Sequence, residues 1–261
     1  MIRALSTAAT GMDAQQTRLD VTANNIANVS TAGFKRSRAE FQDLMYQQVR
    51  AAGDPRQLNA PPTALEVGMG VRTVTTSRQH SEGDLRQTGN PLDVAIEGRG
   101  YFVVQLPNGE RAYTRDGTFK LNAEGRVVTS DGYGLSTDIV VPPDAQQITI
   151  APDGTVTAIV PSDKAPVDAG RIELAAFVNP AGLAAQGRNL FLETAASGTP
   201  VLGHPGDVGI GSLSQGTQEL SNVKVVEEMV DLIAGQRAYE VNSRAIQASD
   251  QMLSTATNLS R

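Results

Sequence analysis

Residues 2–26 carry apolar or small side chains at Ile2, Leu5, Ala9, Met12, Leu19, Ala23 and Ile26, and Gln16 fills the polar gap, so the steps alternate three and four. That spacing is the seam of an amphipathic helix that packs on another helix. The pattern stops where Asn28, Ser30, Thr31 and Gly33 cluster, because short polar side chains compete for backbone hydrogen bonds and glycine accepts left-handed geometry. A seam of this kind needs a cover, and the far end of the chain offers one. Val225, Leu232, Tyr239, Ile246 and Leu253 recur every seventh residue, flanked by Val226, Met229, Ile233, Ala245 and Met252. Glu227, Glu228 and Asp231 fall in the early turns, where the helix dipole favours anions. Loop closure costs only about 0.6 kcal/mol more per doubling of length, while each buried Leu or Ile contributes roughly 1.5–3 kcal/mol. Sequence distance therefore does not forbid the pairing. Apolar residues off the main seams, such as Ala8, Val21, Val241 and Leu259, call for further partners, as in a bundle or polymer.

Between the seams the period changes to two. Leu92, Val94 and Ile96 alternate with Asp93 and Ala95, and Ile172, Leu174, Ala176 and Val178 do the same. Asn108-Gly109 and Asp153-Gly154 predict hairpins with both central residues at positive φ, and Asp116-Gly117 and Asp131-Gly132 mark more turns. Many short strands with such punctuation predict an antiparallel β domain. The expected class is α+β, with N- and C-terminal helices forming a coiled-coil-like inner domain and a central antiparallel β-rich outer domain. The expected divisions are 1–36 (first helix and its closing stretch), 37–66 (a short helix, Ala39–Val49, then an extended arm from Arg50 to Glu66), 67–220 (β-rich) and 221–261 (second helix). Pro55, Pro61 and Pro62 forbid a continuous helix through the arm.

Composition excludes several functions. The chain has 261 residues, no cysteine and a net charge of -6, so thiol chemistry and disulfides are out, and no basic run suggests nucleic-acid binding. Only His80 and His204 offer imidazole. Gly98-Arg99-Gly100 precedes a strand rather than a helix, so it is no dinucleotide fingerprint. Ser212-Leu213-Ser214-Gln215-Gly216 lacks the first glycine of a nucleophile elbow. Asp84, Asp93, Asp116 and Asp131 are spaced as turn formers rather than as an acid/base pair. No enzyme activity, cofactor or metal is expected. Ser6, Thr7 and Thr10 interrupt any secretory h-region, and no run approaches the roughly 20 apolar residues of a membrane span, which alone predicts a cytoplasmic protein.

The residues also carry a family likeness. Ala23-Asn24-Asn25-Ile26-Ala27-Asn28-Val29-Ser30-Thr31-Ala32-Gly33-Phe34-Lys35-Arg36 resembles the signature of the flagellar basal-body rod and hook proteins. Thr88–Phe102 and Tyr113–Phe119 are similar to their shared β-domain motifs, and Val226 to Leu253 to their terminal helix. Total length and the arm after Arg50 resemble the distal rod section more than the hook. The resemblance implies a structural subunit, exported by the flagellar type III apparatus without a cleaved signal, that stacks helically into a straight hollow shaft. That overturns the cytoplasmic expectation in favour of the basal body, from periplasm to outer membrane. It implies as partners the chain itself, the proximal rod proteins, the hook protein, the P-ring and L-ring proteins and the rod cap protein. Nucleic acid and membrane insertion are not implied. Subunit contacts are then expected at Ile2, Leu5, Met12, Leu19, Ile26, Asn24, Asn25, Asn28, Gly33 and Phe34, and at Val225, Met229, Leu232, Tyr239, Ile246 and Leu253. Phe41 and Met45 are similar to an export-gate motif of the group, although residues four apart are also simply one helix face. Lys35 and Arg36 read as solvated or helix-end cations, and Asn25 and Asn28 as helix-end caps or amides offered to a neighbouring chain.

Overall fold

The computed structural model describes residues 2–50, 52, 63–161 and 166–259. The chain divides into two compact units, one of Met1–Ala27, Ser37–Ser77 and Lys224–Arg261, the other of Asn28–Arg36 and Arg78–Val223. It passes between them at 27/28, 36/37, 77/78 and 223/224.

The first unit holds both long helices, α1 (Ile2–Ala27) and α2 (Val225–Leu259). They pack antiparallel: Gly11 lies against Asn242, Leu19 against Gly235, and Asn25 against Glu228. A Cβ added at Gly235 would stand 2.9 Å from Leu19 Cδ2, and one at Gly11 would stand 2.9 Å from Asn242 Nδ2. These glycines let the backbones approach closely. Arg18 and Asp231 close the flank with a half-exposed ion pair at 2.6 Å.

Four strands complete this unit: β1 (Ser37–Asp43), β2 (Tyr46–Arg50), β3 (Leu65–Gly68) and β4 (Val71–Arg78). β1 pairs with β4, and β2 pairs antiparallel with β3 from Tyr46↔Gly68 to Arg50↔Leu65. The short helix expected over Ala39–Val49 is therefore wrong. Its apolar residues satisfy a three-and-four spacing locally, but strand partners beyond residue 63 take up the backbone hydrogen bonds instead. Most of the arm expected over 50–66 lies outside the described residues.

The second unit is antiparallel β throughout its described pairings. Strand Tyr101–Gln105 runs through its centre, bonded to Arg111–Thr114, Gly134–Leu135 and Leu174–Ala176. Phe102, Val104, Ile96, Phe119, Ile172 and Leu174 form its main core, while Tyr101, Tyr113, Ala175 and Phe191 form a second cluster. The expected alternation at residues 92–96 fails at Ala95, which is as buried as Val94 and Ile96. Strand Val94–Glu97 is covered on both faces from Val94 to Ile96.

The glycine turns close hairpins, but by another geometry than two residues at positive φ. Only the glycine of Asn108-Gly109 and of Asp153-Gly154 has positive φ, at 84° and 89°. In each, the glycine N–H bonds back three residues at 2.9 Å (Gly109 to Leu106, Gly154 to Ala151). The next residue's carbonyl accepts from that same residue's N–H (Glu110 from Leu106, Thr155 from Ala151). This is a type I turn closed by a glycine bulge. The Asn or Asp side chain accepts the N–H two residues on, which makes it useful without left-handed geometry.

Candidate functional site

The stretch 23–36 straddles the division between the units, and each half is fixed by its own set of contacts. In the helical unit the decisive residue is Asn25, which is 1% exposed. Its Nδ2 donates to the Ser37 carbonyl at 2.8 Å, and its Oδ1 accepts the Ser37 N–H at 2.9 Å. One amide thus satisfies both backbone groups of the first β1 residue. Nδ2 also donates to Glu228 Oε2 on α2 at 3.2 Å. Asn25 is neither an end cap nor an amide presented to another chain.

In the β unit, Asn28 closes the helix end: its carbonyl accepts the Thr31 N–H at 3.1 Å and its Oδ1 accepts from Thr31 Oγ1 at 3.2 Å. Gly33 is buried at φ +64°, and its N–H donates to the Glu219 carbonyl at 2.9 Å. A Cβ there would lie 2.7 Å from the Arg115 carbonyl carbon. Phe34 is half-buried, and its carbonyl accepts the Asn222 N–H at 3.4 Å.

Lys35 overturns its expected role as a solvated cation, being 1% exposed. Its Nζ donates to Glu219 Oε1 at 2.6 Å and to the Ser81 carbonyl at 2.7 Å. Gly83 N–H donates to the same carboxylate oxygen at 3.0 Å, and Arg115 Nε stands 3.7 Å from the other. Arg115 is itself buried and donates to the carbonyls of Gly98 at 2.7 Å and Ile96 at 3.4 Å. The motif at 113–119 that looked like a separate signature is therefore the floor on which 33–36 rests. Burial drives the Lys35 ammonium below the usual lysine value, against the opposing pull of Glu219.

Beside this pair lies a cavity of about 500 Å³ bordered by His80, Glu82, Tyr101, Arg115 and Phe177. His80 Nδ1 and the Tyr101 hydroxyl are 2.8 Å apart, and the Phe191 ring meets the imidazole edge-on at 5.6 Å. Burial, then the positive charges of Lys35, Arg78 and Arg115, lower the His80 pKa from 6.5 to about 4. The unfolded chain thus binds more protons than the folded one between those values, so stability is full above pH 6.5 and falls as the pH drops toward 4. We expect acid titration to remove about 2 kcal/mol over that window, and His80→Gln to remove that part of the loss. Equal pH profiles for both proteins by thermal denaturation would refute it.

The remaining expected contact residues divide by exposure. Leu5, Met12, Leu19 and Ile26 on α1 and Leu232, Ile246 and Leu253 on α2 are half-buried; Asn24, Val225, Met229 and Tyr239 are exposed; the side chain of Ile2 lies outside the described residues. The row that α2 turns inward is Glu228, Gly235, Asn242 and Ser249, beside the expected heptad row rather than on it. Apolar periodicity locates the stripe, but small and polar residues mark where two backbones come close. Phe41 lies on β1, and Met45, 86% exposed, lies in the bend before β2. They do not share a helix face. Among the described residues no group of His, Asp or Glu is placed to hold a metal, and no helix is long and apolar enough to cross a membrane. Asp93 and Asp116 serve turns, accepting from Thr88 and Asn90 and from Thr118.

Comparison with known proteins bears on this architecture. Three family profiles match: "Flagella basal body rod protein" over residues 5–35, "Flagellar hook protein FlgE/F/G D1 domain" over 95–158, and "Flagellar basal body rod FlgEFG protein C-terminal" over 214–259. The flagellar basal-body rod protein FlgG of Borreliella burgdorferi is 48% identical over 264 residues, covering 100% of both chains. The chain belongs to the flagellar basal-body rod protein FlgG family. Proteins of the same description from Caulobacter vibrioides (48% identical, 99% of each chain) and Bacillus subtilis (39%, 100% of each) extend the likeness. Members of this family are structural rod proteins rather than enzymes, and the three matched regions span most of α1 with its closing stretch, part of the β unit, and α2 with the residues just before it.

Proposed function

We propose that the chain is a subunit of the distal rod, polymerising helically into a straight hollow shaft that carries torque from motor to hook. The observation that carries this reading is the apolar stripe left uncovered on α2. Val226, Val230, Ile233 and Val241 follow helical spacing and are 75%, 62%, 51% and 64% exposed. An amphipathic helix with apolar residues outside its intramolecular seam suits a bundle with further helices. In the polymer, α1 and α2 form the coiled-coil-like inner wall, meeting copies through the expected contact residues that stay exposed or half-buried on the two helices, and the β unit forms the outer wall. The β2–β3 ribbon has Tyr46, Val49 and Leu65 exposed; a two-stranded ribbon is marginal alone, which favours cover from neighbouring subunits and a role for the arm in keeping the shaft straight. The proximal rod, hook, P-ring, L-ring and rod cap proteins are the proposed neighbours, with delivery by the type III export apparatus into a rod that spans the periplasm to the outer membrane.

Ile233→Asp tests the reading, since Ile233 is exposed within one chain and a charge there leaves the subunit folded. It should abolish sedimentable polymer and motility while the circular dichroism spectrum is retained, because an unpaired charge buried in a helix interface is costly. Straight filaments in electron micrographs of that variant would overturn it.

A further inference from the structure

We infer that Asn25 is a positioning residue that sets the register of α1 on α2 and, through the same amide, the place of the β1–β4 ribbon along α1. The inference concerns the fold of one subunit and does not depend on the rod reading. The inward faces of the helices are rich in small and polar groups: Ala8, Gly11, Ala14 and Thr22 on α1, and Gly235, Asn242 and Ser249 on α2. Small residues permit close approach but discriminate poorly between registers one turn apart. Buried polar groups can supply that discrimination, because each wrong register leaves them without partners. Asn25 is 1% exposed, as is Glu228, to which it donates.

The amide does more than join two helices, because it also holds both backbone groups of Ser37. The far end of the ribbon is attached to α1 as well. Val71 N–H donates to Thr10 Oγ1 at 3.4 Å, Leu44 N–H donates to the Gly70 carbonyl at 2.9 Å, and a Cβ on Gly70 would overlap Thr10. From Asn25 to Thr10 the helix spans about 22 Å at 1.5 Å per residue. From Ser37 to Leu44 an extended strand spans about 23 Å at 3.3 Å per residue. The two anchors thus match in length, and a slip of α1 by one turn moves it by about 5.4 Å, which breaks the Asn25 attachment and strains the Thr10 one together.

Hydrogen exchange on the purified full-length chain tests this. In the wild type the Ser37 amide and the β1 amides should be protected. Asn25→Ala should speed their exchange at least about tenfold and leave strand Tyr101–Gln105 unchanged. Asn25→Asp sets a carboxylate beside Glu228 and removes a donor, so its loss should exceed that of Asn25→Ala, and adding Glu228→Gln should recover part of it. That charge-specific rescue is what a merely space-filling role would not produce. Wild-type exchange without protection at Ser37, an Asn25→Ala profile equal to the wild type, or no recovery in the Asn25→Asp/Glu228→Gln protein would each overturn the inference. If Asn25→Asp does not fold, the Asn25→Ala comparison decides alone.

Discussion

Replacing Lys35 by methionine should destabilise the β unit by about 3–5 kcal/mol, the cost of leaving one member of a buried ion pair without its partner. The stranded group is Glu219, whose side chain is 1% exposed and whose Oε1 lies 2.6 Å from the lysine Nζ. A melting temperature lower by about 10 °C is the expected readout for a unit of this size. Adding Glu219→Gln should recover part of the loss, since a neutral amide oxygen still accepts from the Gly83 N–H, which lies 3.0 Å from the carboxylate in the wild type, and Arg115 keeps its bonds to the Gly98 and Ile96 carbonyls. A Lys35→Met protein as stable as the wild type would show that the ammonium is solvated after all. A double variant no better than the single one would shift the cost from charge to packing.

Gly33→Ala should be nearly as severe, at about 2–5 kcal/mol. Left-handed geometry costs a non-glycine residue roughly 1–2 kcal/mol, and overpacking adds about 1–3. The methyl group would point at the backbone of Arg115 and Asp116, at 2.7 and 2.8 Å, and backbone cannot rotate away as a side chain can. Chemical denaturation should report the loss in the β unit with helical signal largely retained. Loss of less than about 1 kcal/mol would mean that the 33–36 segment can lift off its floor without cost.

Much of the architecture was legible because it rests on local periodicity. The three-and-four spacing from Ile2 to Ile26 and the sevenfold recurrence from Val225 to Leu253 give α1 and α2 to within a few residues. Ala39–Val49 shows the limit. Phe41, Leu44, Met45 and Val49 fit a helix face, yet strands form there because β4 and β3, beyond the proline-rich stretch, supply the ladder. Lys35 was opaque for a similar reason. Beside Arg36 it looks like a surface cation, and the carboxylate that buries it is 184 residues away. Asn25 was expected to cap the helix or face a neighbouring chain, and its own-chain partners at Ser37 were hidden because a backbone carbonyl and N–H have no side-chain signature to read.

The division of the chain has a mechanical consequence. Because the backbone crosses between the units at 27/28, 36/37, 77/78 and 223/224, a twisting force passed from one to the other is carried by parallel covalent tethers instead of a single hinge. No one cut of the chain can set either unit adrift, and neither can be expressed whole as one uninterrupted fragment. Damage to one crossing leaves the others under tension, so the subunit should fail gradually under strain where a single-linker protein would fail at once.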